Sequence, residues 1–108
     1  MPDSSALDVP RDGEGYLIDP ADWTEDIAQA LAAAENITLG TEHWSVIEFM
    51  RDFLRRKGMA PDARYVIRHL KDTTGAPRNR LFELFPYGYV QQACKIAGMR
   101  RPRGWSTG

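Results

Sequence analysis

Cys94 is the only cysteine among the 108 residues of this chain. A thiol can hold a sulfur atom as a persulfide or pair with a partner's thiol, and with no second cysteine it cannot close an internal disulfide. It stands in the block Leu84-Phe85-Pro86-Tyr87-Gly88-Tyr89-Val90-Gln91-Gln92-Ala93-Cys94-Lys95-Ile96-Ala97-Gly98, just before a basic tail holding Arg100, Arg101 and Arg103. Two readings stay open from the residues. Val90, Ala93, Cys94 and Ala97 fall at i, i+3, i+4 and i+7, which puts the thiol on a packed helix face. There a free cysteine is commonly buried, its pKa raised and its reactivity low. Lys95 and the tail arginines argue the other way, since nearby positive charge favours the thiolate.

Other chemistry is poorly provided for. His43 and His69 fall on different predicted helices with no HxxxH spacing, so neither a metal site nor a cofactor is expected. His43 reads as a helix-start residue. No Gly-rich phosphate loop, carboxylate pair or hydrolytic triad can be assembled. Asp19, Asp22, Glu25 and Asp26 suit a helix N-terminus. Charge is divided along the chain: residues 1–50 hold eleven Asp and Glu against Arg11, and residues 51–108 hold thirteen Lys and Arg against four acids. Such a division either steers the chain to an acidic surface or a nucleic acid, or is neutralised by folding. Arg55, Arg56, Arg64 and Arg68 are the candidate nucleic-acid contacts. They lie on two helices joined by a short turn, but lack the Asn, Gln and Ser partners of base readout.

The elements that must position these groups follow from pattern. Hydrophobic content of 43% and charged content of 27% are those of a globular chain, of a length for one domain spanning 1–108. No apolar run approaches the ~18 residues of a membrane span, and the acidic N-terminus is unlike a signal peptide, so a cytoplasmic protein is expected. Residues 6–18 read as a β-hairpin around Asp12-Gly13. A first helix is predicted from Pro20 to Glu35-Asn36, with Asp19 as cap. A central helix runs from Glu42 to Lys57, capped by Thr41 and ended by Gly58, with Trp44, Ile47, Met50 and Leu54 as its apolar stripe. A third runs from Pro61 through Lys71, a loop covers 72–77, and a short helix spans Arg78 to Phe85. The last helix runs from Tyr87 to Ala97 and stops at Gly98. Residues 99–108 are left as an arm. The fold class is mainly α: a small helical bundle over 20–97 with a helix-turn-helix-like corner, an N-terminal β-hairpin and a flexible C-terminal arm.

Several of these motifs in this order resemble the DsrC/TusE family: Asp12-Gly13-Glu14-Gly15-Tyr16-Leu17, Trp23, Thr41-Glu42-His43-Trp44, Phe49-Met50-Arg51, Leu84-Phe85-Pro86-Tyr87-Gly88 and Gln92-Ala93-Cys94-Lys95-Ile96-Ala97-Gly98. The resemblance implies a small cytoplasmic protein of sulfur trafficking. Its implied partners are a sulfur-relay complex of the TusBCD or DsrEFH kind, for tRNA thiolation, or a sulfite-reductase-like complex. It also implies that the working thiol stands at the end of the arm and that Cys94 matches a secondary cysteine in the last helix. Here the arm position holds Trp105, Tyr89 replaces the proline usual after the LFPYG motif, and Arg100 replaces another proline. Two functions compete. The chain is either a binding or regulatory paralogue that carries no sulfur, with Trp105, Arg100, Arg101 and Arg103 engaging a partner, or a persulfide carrier acting through Cys94. DNA binding through the basic corner is a third.

Overall fold

The computed structural model describes residues 9–100. Near its start, Asp12 organises a turn: its Oδ1 accepts the amides of Glu14 at 2.8 Å and Tyr16 at 3.0 Å. One antiparallel bridge, Arg11 to Leu17, closes that turn, and the described residues contain no strand. The hairpin expected over 6–18 is thus reduced to a bridged turn, and residues 6–8 lie outside the described residues. The reason is visible in the packing. Tyr16 and Leu17 are adjacent yet both buried, which the two-residue alternation of a strand does not allow. Tyr16 reaches inward and donates its hydroxyl to the Val90 carbonyl at 2.9 Å.

The helix expected from Pro20 is broken in two. Asp19 caps a 3-10 turn over Pro20–Asp22, and Thr24 caps α1, Glu25–Ala34, by accepting the Ile27 amide. Trp23 is the break. Its extended backbone sends the indole N–H to the carbonyl of Ile96 at 2.9 Å, and this tertiary bond overrides a weak local helix preference.

Helix α2 spans Thr41–Lys57, one residue earlier than expected, with Gly40 as its cap and Gly58 closing it. Helix α3 spans Ala63–Thr74 with Asp62 as cap, so it begins after Pro61 and runs on past Lys71. Thr73 and Thr74 extend it by donating their hydroxyls to the carbonyls of His69 and Leu70. Helix α4 is shorter than expected, Arg80–Leu84, and α3 packs against both α2 and α4.

The last helix begins at Tyr89, not Tyr87, because Gly88 takes φ 112° and ψ 153°, a backbone region open essentially to glycine alone. It is wound as a π-helix over Tyr89–Cys94 and tightens to an α-turn through Lys95 and Ile96. From Gly88 to Met99 only Gln91 is exposed and Lys95 half-buried; the rest is buried. The sequence pointed to α2 as the central helix. That place belongs to this segment by its burial, and α2 sends Val46, Ile47 and Met50 into the same buried core. Small residues at Ala93, Cys94 and Ala97 let neighbours close in from every side, while α2 keeps an outer face with Glu48 and Arg55 exposed. Met99, read from sequence as part of the arm, is only 1% exposed. No helix among the described residues is long and apolar enough to cross a membrane.

Candidate functional site

Cys94 lies at the centre of the molecule with no exposed surface. Burial pushes its thiol up to about 12, against a smaller opposing effect of the hydrogen bond with Tyr89. The π-helical winding brings these two residues, five apart, onto one face. Tyr89 is itself buried, and its hydroxyl donates to the carbonyl of Pro61 in the α2–α3 connection. Its own pKa is raised, chiefly by burial and next by Cys94. The thiol is therefore a neutral, packed group whose polar neighbour is fastened elsewhere.

At the end of the same helix the chain is anchored by a separate group of residues. The four last carbonyls of a helix have no partner within it. Here the turn at Gly98 satisfies two: Met99 donates to Cys94 and Gly98 donates to Lys95, the paired bonds of a Schellman motif. The next two carbonyls take side chains instead. Trp23 donates to Ile96, and Arg51 donates to Ala97 at 3.2 Å. Arg51 also donates to Pro20 at 3.0 Å and lies 4.5 Å over the Trp23 ring. Burial, with Arg55 nearby, lowers the pKa of its guanidinium. Gly98 adopts φ +79°, and a Cβ there would stand 2.4 to 2.7 Å from atoms of Trp23. Arg100 then donates Nε to the Ile18 carbonyl at 2.9 Å, a bond closed to the proline of the family pattern.

The structure treats the other candidates as follows. Arg101, Arg103 and Trp105 lie outside the described residues. Arg55 and Arg56 both bind Asp52, at 2.9 and 2.7 Å, and Arg64 contacts Asp62 at 3.3 Å. Arg68 lines one groove with Arg64, Lys71 and Arg78. Of the four arginines named for nucleic acid, Arg64 and Arg68 thus share one face of α3, and Arg55 and Arg56 are paired with Asp52 on α2. His43 joins α2 to the end of α4. Its Nε2 meets the Leu84 carbonyl at 3.0 Å and must donate, which leaves Nδ1 to accept the Gly40 amide at 3.1 Å. His69 bonds Ser45 and stacks on Phe49. No group of metal-ligating side chains occurs among the described residues. Arg51 is the residue whose role sequence reasoning missed. Its signal was an arginine on the apolar stripe of α2, between Ile47 and Leu54 at i+4 and i+3.

A small helical fold that centres a cysteine-bearing helix and fastens the start of the tail behind it defines a recognisable class. The chain belongs to the DsrC-like protein family, whose model matches residues 4–105. It is 37% identical over 101 residues to the sulfurtransferase TusE homolog of Haemophilus influenzae, covering 91% of this chain and 93% of that one. It is 40% identical over 95 residues to the sulfurtransferase TusE of Buchnera aphidicola from Acyrthosiphon pisum, covering 85% and 83%. The crystal structure of the oxidized gamma-subunit of the dissimilatory sulfite reductase (DsrC) from Archaeoglobus fulgidus superposes with a TM-score of 0.83 at 33% identity, covering 91% of this chain and 92% of that one. The NMR structure of Allochromatium vinosum DsrC gives 0.74 at 33%, covering 89% and 88%.

Two outcomes follow. Gly98→Ala forces both a left-handed alanine and a collision with Trp23, and should cost about 2 kcal/mol or more in urea unfolding, with loss of the shifted Trp23 indole resonance in NMR spectra. The Cys94 thiol keeps its proton in the native state up to about 12, whereas the unfolded chain loses it near about 8.5. Stability therefore falls as pH rises through that window. Between about pH 8 and pH 10.5 the loss should be about 2 kcal/mol greater in the native sequence than in Cys94→Ala.

Proposed function

We propose that this chain serves sulfur relay as a binding or regulatory protein that does not itself carry sulfur. The observation that carries the reading is the complete burial of Cys94 together with its raised pKa. A persulfide carrier needs a thiolate that meets its donor, and a neutral thiol enclosed on all sides is neither ionised nor reachable. Position 105, where the resemblance puts the working thiol, holds tryptophan. Tryptophan cannot form a persulfide, but it is a favoured anchor at protein interfaces.

The names of the relatives support a partner in sulfur relay or sulfite reduction. The family resemblance makes it a TusBCD- or DsrEFH-like complex or a sulfite-reductase-like complex in this reading, met in the cytoplasm. The clamp at Ile96 and Ala97 supports this reading, because it gives the segment beyond Met99 a fixed point of departure. Trp105 with Arg100, Arg101 and Arg103 would then engage the partner.

Incubation of the folded protein with a persulfide donor, followed by intact-mass analysis, tests the reading. No sulfur adduct is expected on Cys94, and iodoacetamide should label it only after denaturation. A sulfur adduct on the native protein that disappears in Cys94→Ala would establish carriage and overturn the proposal.

A further inference from the structure

The outer face of α3 and the loop behind it form a feature that neither Cys94 nor the arm uses. Arg64, Arg68 and Lys71 recur at i, i+4 and i+7, so they stand in one row along α3. The chain after Gly75 then returns beside that row and adds Arg78. Between them lies an open groove of about 680 Å³. Its apolar floor is made by Ile67, Ala76 and Pro77, and Asp72 is the one acid in its lining.

The surrounding charges make this groove distinct. Several basic side chains elsewhere carry a carboxylate partner: Arg55 and Arg56 share Asp52, and Arg80 meets Glu42 and Glu83. Arg64 touches Asp62 yet keeps 84% of its side chain exposed. Arg68, Lys71 and Arg78 have no carboxylate within ion-pair distance among the described residues. Unanswered positive charge along a concave apolar floor is an arrangement made for a ligand with both properties.

We propose that this groove docks an acidic segment of a partner protein, with an apolar side chain of that segment seated on Ile67, Ala76 and Pro77. A nucleic-acid backbone satisfies the rim alone. Its phosphates would pair with the cations but leave the apolar floor uncovered. An acidic peptide with an apolar anchor satisfies rim and floor together. The rim charges are exposed, so they act mainly on encounter rate, and binding weakens as salt shortens the ~8 Å screening length of physiological solution. The proposal rests on α3 and its following loop, and stands or falls apart from the reading of Cys94 and the arm.

The test uses the full chain and a fluorescein-labelled peptide in which leucines alternate with paired glutamates. Anisotropy should rise on binding, with amide shifts in the nitrogen-15-labelled protein confined to Arg64 through Arg78. Arg68→Glu combined with Lys71→Glu should weaken binding about tenfold or more. Arg78→Glu, in the loop and outside any helix, should do so independently of α3 stability. Replacing the peptide's glutamates by glutamine, or its leucines by alanine, should each reduce affinity. Arg55→Glu with Arg56→Glu should leave it unchanged. The proposal is overturned if the peptide does not bind at low salt, or if the groove variants bind as the native chain does. It is also overturned if single-stranded RNA or duplex DNA of the same charge displaces the peptide from the same amides and binds more tightly.

Discussion

A buried backbone carbonyl needs a partner, and that requirement governs this molecule. The nearly enclosed helix over Tyr89 to Ile96 ends in carbonyls that the helix itself cannot satisfy. Side chains come in from four places instead: His43 from α2 to Leu84, Tyr16 from the bridged turn to Val90, Trp23 from the α1 entry to Ile96, and Arg51 from α2 to Ala97. Gln92, fully buried in the same helix, is met by the Tyr87 amide and by Glu35. The bridged turn, the entry to α1 and α2 are thereby set in place by polar contacts with the centre. The apolar contacts fill the space between these fixed points, and no buried side-chain nitrogen or oxygen among the described residues is left without a partner.

The same requirement accounts for where sequence reasoning succeeded and where it fell short. Local signals were enough for α2 and for the end of the last helix: Gly58 closes the one and Gly98 the other, as their positions after a periodic run predict. They were not enough at Trp23, where a bond to a residue seventy-three positions away interrupts what reads as one continuous helix. Nor were they enough at residues 11–17, where the turn dipeptide is real but Tyr16 and Leu17 both point inward. Helical spacing put Val90, Ala93, Cys94 and Ala97 on a packed face, and all four are buried. It could not show that Tyr89, Gln92 and Ile96 are buried too, because burial beyond one face depends on what surrounds the helix. The groove beside α3 was invisible for a similar reason. It depends on the loop after Gly75 folding back, and Lys71 and Arg78 belong to it as much as the arginines that drew attention first.

The family resemblance and the physical reading meet at two substituted positions. Tyr89, where the family pattern has proline, supplies a phenol that donates to the Pro61 carbonyl and lies beside Cys94. Arg100, again in place of proline, binds Ile18 across the surface. Both changes add contacts: Tyr89 ties the cysteine-bearing helix to the α2–α3 connection, and Arg100 ties the residue after Met99 to Ile18.

The order in which the centre is supplied has a consequence for how the protein is made. Its bonds join residues seventy-four, seventy-three, forty-six and forty-one positions apart. The segment that fills the middle is synthesised after every element that packs around it. Until it emerges, the bridged turn and helices α1 to α4 have only each other to cover their apolar surfaces. Closure of such distant contacts is slow compared with helix formation. A nascent chain of this protein thus stays open through most of its synthesis, and a ribosome stalled before residue 84 holds a set of helices with no centre to assemble on.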